Sequence, residues 1–259
     1  VIAKITKRDF VDYIKARYAP NNMVVSLAGN FDRDKTLKLV EKHFGGAKYD
    51  DVSGYIPVVE DQNKPMAKIT YKKTDQAHLV VGFRGLKMGH SDRYAAALLG
   101  VVLGGGMSSR LFENVREKRG LSYYIRADHE SYLDTGTLAA SAGADLKRID
   151  EAIKVILHEF GEIAKKKVEA KELNKAKEYI KGKLILSWED SRAVAISYGS
   201  DELLEGRVRP LSEYLKRIEE VSAEDVLRVA EFLIDKSKLN LAVIGPFKDS
   251  NRFEKLLKI

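Results

Sequence analysis

The stretch Leu103-Gly104-Gly105-Gly106-Met107-Ser108-Ser109-Arg110-Leu111-Phe112-Glu113-Asn114-Val115-Arg116-Glu117-Lys118-Arg119-Gly120-Leu121-Ser122-Tyr123 lies between two glycine stops. Before it, the nearly apolar run from Ala95 reads as a buried helix over 91–103, because its residues pack and carry almost no charge. Gly104-Gly105-Gly106 then turns the chain. Ser108 or Ser109 opens a second, short helix that ends at Gly120. Leu121 to Tyr132 follows as a strand, with Tyr123, Tyr124 and Ile125 near its start. The glycine cluster lacks the Lys-Ser/Thr ending of a phosphate loop and the spacing of a dinucleotide loop. Glycines here suit a tight turn and close backbone approach.

Outward from this centre, Ala67–Lys73, His78–Arg84 and Gly136–Ala142 read as further strands. Asp145 caps a long amphipathic helix carrying Leu146, Ile149, Ile153, Ile156, Phe160 and Ile163 on one face. Helices are expected near 169–187, 190–205 and 211–219. The end of the chain repeats its beginning. Thr6-Lys7-Arg8-Asp9 and Ser222-Ala223-Glu224-Asp225 are both capped helix starts, 216 positions apart. The alignment continues without a gap from Ile5–Phe31 to Val221–Phe247, with Met23–Ala28 and Leu239–Ile244 both read as buried strands. The pattern gives one full repeat at 66–259 and the end of a preceding repeat at 1–46, joined by a linker at 47–65 rich in Asp, Pro, Ser and Gly. The earlier copy would begin about 150 residues upstream of Val1.

Composition narrows the function. Of 259 residues, 44% are hydrophobic and 32% charged, which suits a packed core rather than a disordered chain. With no cysteine, disulfide scaffolds, zinc ribbons and iron–sulfur sites are excluded. No apolar run approaches the ~18 residues of a membrane span, and no membrane partner is expected. The net charge of +7 is spread over interspersed charges, without the aromatic interleaving of a single-strand binder, so nucleic acid is not an expected partner. The lack of cysteine suits any compartment, with the cytoplasm as the default.

The 103–123 stretch resembles the second domain of the M16 zinc peptidases, the group of pitrilysin, insulysin and the mitochondrial processing peptidases. The likeness extends through Ala77-His78-Leu79, Asp134-Thr135-Gly136, the helix around Glu169 to Lys183 and the Gly245-Pro246-Phe247 ending. Arg17-Tyr18-Ala19-Pro20-Asn21-Asn22-Met23 is similar to the last third of the family's first domain. The resemblance implies an α+β fold of the LuxS/MPP-like metallohydrolase type. Its mainly antiparallel sheet is expected to carry helices on one face, in agreement with the element order.

In that family the first domain carries zinc on a His-x-x-Glu-His helix and a distant glutamate. Three protein ligands leave an open position where water is activated. This chain lacks the motif. No two of His43, His78, His90, His129 and His158 stand four apart, and His158-Glu159 on an amphipathic helix reads as solvated surface. The resemblance therefore implies the C-terminal, substrate-binding half of a zinc metalloendopeptidase, inactive alone. Zinc would sit in a domain of the parent chain or of a partner, and an unfolded peptide would be the substrate. A non-catalytic subunit of a heterodimeric protease, or a structural core subunit, are the alternatives. The family's substrate-binding arginine and, seven residues on, tyrosine map to Arg116 and Tyr123, with Gly105 and Gly106 as further contacts. Read from the residues alone, Arg116 can equally pair with Glu113 or Glu117, and Tyr123 and Tyr124 can be ordinary strand aromatics.

Overall fold

The computed structural model describes residues 2–46, 52 and 54–259. Asp50, Asp51 and Ser53 of the expected linker lie outside the described residues. The chain packs as two compact units, Val1–Pro57 with Leu184–Leu211 and Val58–Lys183 with Ser212–Ile259. This division by packing assigns residues 184–211 to the same unit as the start of the chain, a partition different from one drawn on the repeat.

The larger unit holds a five-stranded sheet: β1 (Met66–Tyr71), β2 (Ala77–Arg84), β3 (Ser122–Ser131), β4 (Gly136–Ala144) and β5 (Asn240–Gly245). The spatial order is β1-β5-β2-β4-β3. Only β1 and β5 run parallel; the other three pairings are antiparallel. Alternation sends Leu79, Val81, Phe83, Leu138, Ala140, Leu241 and Val243 to one face, each at most 2% exposed. Helices α3 (Arg93–Gly104), α4 (Ile149–Ile163) and α8 (Ala223–Leu233) bring their apolar sides to this core, where the Phe83 and Phe160 rings stand 5.2 Å apart. On the opposite face, Lys68, Val80, Arg126 and Asp128 are exposed and Arg84 is half-buried. The α+β architecture with a mainly antiparallel sheet is thus the one the sequence implies.

α3 lies unusually close to β3. A Cβ on Gly104 would stand 2.1 Å from the Ala127 amide nitrogen, and one on Gly100 would stand 2.9 Å from that of His129. Only glycine fits such an approach. At its other end α3 is tied to α8, where Arg228 grips the Asp92 carboxylate with bonds of 2.7 and 2.8 Å. The start of α4 falls later than the sequence suggests. Asp145 first accepts the Lys147 N–H at 2.7 Å, closing a turn, and the helix proper begins at Ile149.

The smaller unit contains α1 (Lys7–Arg17), α2 (Arg33–Phe44) and α6 (Ser191–Glu205). Helices α1 and α2 bury no residue: Phe10 is 63%, Tyr13 62% and Leu39 55% exposed. Met23–Ala28 is extended but unpaired, contrary to the buried strand expected there. A strand needs a paired neighbour to satisfy its N–H and C=O groups; here Gly199 of α6 comes up against Ser26, and no strand pairs with the stretch among the described residues. A buried Arg209 closes the unit's other end, its N–H donating to Asp201 Oδ2 at 2.9 Å and its guanidinium meeting Glu205.

Candidate functional site

The segment that leads from α3 to β3 departs from regular structure twice. Phe112–Glu117 winds as a π-helix, a single wide turn in place of the short regular helix expected. Such turns are uncommon and concentrate at functional places. Leu111 and Val115 anchor it, both fully buried. Asn114 pins its flank: its amide donates to Glu159 Oε1 on α4 at 2.9 Å, while its carbonyl receives Arg119 at 2.7 Å. Glu159 is therefore buried and not solvated surface, and desolvation pushes its carboxyl above the usual carboxylate range. Its neighbour His158 does face solvent. Upstream, Arg110 forms a two-pronged bond to Glu172 on α5 (Ala170–Trp188) at 2.8 and 2.7 Å, a fork-on-carboxylate geometry that fixes the loop.

Gly120, at φ +57°, ends the turn. The Gly120 N–H donates to the Arg116 carbonyl and that of Leu121 to the Val115 carbonyl, both at 2.9 Å, so the π-helix and the start of β3 form one hydrogen-bonded bend. Then comes the second irregularity. Ser122 pairs with Ala144 and Tyr124 with Gly143, so Tyr123 is the extra residue of a β-bulge. Bulges re-aim side chains. Here the bulge leaves both tyrosines outward: Tyr123 is 65% exposed, and the Tyr124 hydroxyl lies 3.0 Å from His78 Nδ1.

Arg116 is exposed, with its guanidinium 4.7 Å from the Phe112 ring centroid. It forms no ion pair among the described residues. Glu113, one of the two local partners open to it, instead takes Lys118 at 2.8 Å, which holds the Glu113 carboxyl below its ordinary range. Gly105 and Gly106 precede this bend; Gly105 crowds Val101, and Gly106 faces the Tyr179 ring. The Asn114–Glu159, Arg110–Glu172 and Tyr124–His78 pairings join residues 45 to 62 positions apart, or 46 for the last, and one sequence holds no signal for them.

No zinc site fits these residues. Among the described residues, no group of three or more His, Cys, Asp or Glu side chains could hold a metal ion. His129, a candidate by residue type alone, is committed elsewhere. Its Nε2 accepts the Leu86 N–H at 2.8 Å, and burial pushes its pKa down to about 4. Among the described residues, no helix is long and apolar enough to cross a membrane.

Residues 4–180 match the Peptidase M16 inactive domain. The chain belongs to the M16 peptidase family. It is 36% identical over 235 residues to the uncharacterized zinc protease YmxG of Bacillus subtilis, covering 90% of this chain and 56% of that one. An uncharacterized zinc protease of Mycobacterium tuberculosis is 32% identical over 251 residues, covering 95% of this chain and 56% of its own length. The chain thus spans little more than half the length of these relatives. An M16 inactive domain from Pseudomonas fluorescens shares the fold with a TM-score of 0.83 at 20% identity, over 96% of this chain and 59% of that one. A protease from Helicobacter pylori does so with a TM-score of 0.81 at 20% identity, over 95% and 60%. As an M16 inactive domain, the chain carries no zinc motif, whereas its relatives are named zinc proteases.

Proposed function

We propose that this chain is the C-terminal, substrate-binding half of an M16-type zinc metalloendopeptidase. It orients an unfolded peptide for hydrolysis by a zinc domain outside this sequence and is inactive alone. In this reading residues 1–46 complete that first domain, 47–65 link, and 66–259 form the second domain. The exposed apolar sides of α1 and α2 and the unpaired Met23–Ala28 support it, because exposed apolar helix faces and a stretch without a strand partner are what the end of an interrupted domain leaves behind.

The observation that carries the peptide-binding role is the state of Arg116 and Tyr123. Both are exposed, and neither side chain makes a hydrogen bond or ion pair within the described residues. Each projects from a backbone irregularity fixed by buried anchors. A guanidinium and a phenol are ready donors, and donors aimed at a carbonyl gaining negative charge are each worth about 2.7–4 kcal/mol in known oxyanion holes. Gly105 and Gly106 would add backbone contacts beside them.

The test is peptide hydrolysis by the longer polypeptide carrying the upstream repeat. Arg116→Ala and Tyr123→Phe should each lower kcat/KM by about 10²–10³-fold with zinc content unchanged, and the 259-residue chain alone should hydrolyse nothing. Wild-type kcat/KM in both variants overturns the role of this pair. Stoichiometric zinc and turnover in the chain alone overturn the assignment as a whole.

A further inference from the structure

The uncovered face of the sheet is shaped as a trough of about 650 Å³ lying entirely within the larger unit. Register explains the shape. Ala242, Gly82, Ala139 and Ser141 form most of the middle of the face on β5, β2 and β4, and all four are small; Val80 is the larger residue among them. Longer side chains stand around them: Lys68 on β1, Arg84 at the end of β2, and Arg126 with Asp128 on β3. A floor of small residues lets another backbone come close, while the rim supplies charge.

The charges on this rim are unspent. Arg84 Nε is inaccessible to solvent yet has no hydrogen-bond partner, and Arg84 forms no ion pair, among the described residues. A buried donor without a partner is rare and calls for an explanation. The Arg126 Nε donates to Ser141 Oγ at 3.1 Å, a neutral acceptor, and its guanidinium meets no carboxylate among the described residues. Carboxylates do line the trough, but neither joins the arginines: Glu130 accepts the Tyr132 hydroxyl at 2.8 Å, and Asp128 has no ion pair among the described residues. Elsewhere in the larger unit, cations near carboxylates pair with them, as in Arg110–Glu172 and Arg228–Asp92.

We infer that this trough binds an extended peptide segment through two acidic side chains, one on Arg84 and one on Arg126. The inference rests on the reading of the chain as a peptide-binding half and adds a sequence preference to it. The spacing follows from the sheet. Arg84 on β2 stands opposite Thr137 and Arg126 on β3 opposite Ser141, so the two arginines share a face and flank β4, offset by four residues along it and by two strand spacings, roughly 10 Å, across it. Four residues of extended chain span roughly 13 Å, and side chains four apart in an extended ligand also share a face. A peptide laid along β4 runs between the two arginines, and Arg126 already leans over β4 to Ser141, so acidic residues at i and i+4 come level with one guanidinium on each flank; at i and i+3 they point to opposite sides. The planar guanidinium fork suits a carboxylate better than a lysine would.

The experiment is a fluorescence-anisotropy titration of the 259-residue chain with labelled, N-acetylated and C-amidated nonapeptides. The peptides carry Glu at i and i+4, Glu at i and i+3, or Gln at i and i+4; a fourth is the Gln peptide with a free C-terminus. The i,i+4 Glu peptide should bind about tenfold tighter or better than its Gln counterpart, and the i,i+3 peptide should lose most of that gain. Arg84→Gln and Arg126→Gln should each erase most of the preference while leaving thermal unfolding unchanged. Arg84→Lys should restore only part of it. Equal binding of Glu and Gln peptides, a preference that follows charge regardless of spacing, or one that survives in both variants overturns the inference, as does the absence of binding by any peptide. A gain conferred by the free C-terminus alone would replace side-chain recognition by end recognition and overturn it too. If the Gln peptide binds and loses affinity in Arg116→Ala without any acid preference appearing, the reading of this half stands and the trough assignment falls.

Discussion

Residues 5–31 and 221–247 are the same local structure in two surroundings. α1 and α8 each span eleven residues, 216 positions apart. Each opens with a complete capping box, Thr6–Asp9 in one and Ser222–Asp225 in the other. Each unwinds at a C-cap of similar geometry, φ −97° at Tyr18 and −87° at Ile234, and passes into a single 3₁₀ turn, Pro20–Asn22 or Lys236–Lys238. After that they diverge. α8 buries Val226, Val229, Ala230 and Leu233, and β5 is paired on both sides. α1 buries nothing, and Met23–Ala28 has no partner. Caps and helix lengths are thus written locally, whereas a strand and a core exist only when neighbours supply them.

The largest break in this symmetry is expected at the aligned pair Leu241 and Val25. Leu241 is 2% exposed in the middle of the sheet, so Leu241→Ala should cost about 3 kcal/mol in chemical denaturation. Val25 is 45% exposed, and Val25→Ala should stay within about 0.5 kcal/mol. Equal effects would mean that the first copy is as well packed as the second.

A pH titration of stability separates the two surroundings next. Burial holds His129 neutral in the larger unit, with a pKa of about 4 against 6.5 when free. Its contribution is complete above pH 6.5. Between 6.5 and 4 the unfolded chain takes up a proton that the folded chain refuses, so stability falls with pH by up to about 3 kcal/mol. His129→Gln should flatten this stretch of the profile in pH-dependent denaturation. An unchanged profile would place the slope elsewhere.

The smallest contrast is between the caps. Ser222→Ala removes the acceptor of the Asp225 N–H and should cost about 1 kcal/mol of global stability. Thr6→Ala breaks the same box on α1 but should leave the global transition in place, fraying only the first turn as read by amide chemical shifts over 7–10. The two Asp partners, Asp9 and Asp225, are both held below the ordinary carboxylate range by these bonds, so each box weakens as acid protonates it.

What was legible in the sequence follows the same division. The strands of the sheet, both capping boxes and the glycine stop at Gly120 announce themselves through alternation, side-chain chemistry and backbone freedom. Met23–Ala28 carries the same strand signal as Leu239–Ile244, and only the missing neighbours tell them apart. The π-helix is invisible for a related reason. Its register is set by the buried Val115 and by Glu159 on a helix 45 residues away, while its own residues read as an ordinary helix. The bulge at Tyr123 depends on how β4 is aligned beside it, so spacing picks out the residue but not the displacement that exposes it. Arg116 stands out by its family motif, while the unpaired state of Arg84 emerges only when β2, β4 and β3 are laid side by side.

The strand order has a kinetic consequence. β5, among the last elements in the chain, inserts between β1 and β2, which were made some 160 to 180 residues earlier. During synthesis the sheet therefore waits with a vacant slot between β1 and β2, flanked by two raw edges. Such long-range closure is slow, and exposed edges invite pairing with the wrong chain. Until residue 245 is available, this protein should depend on protection from aggregation, whatever its final stability.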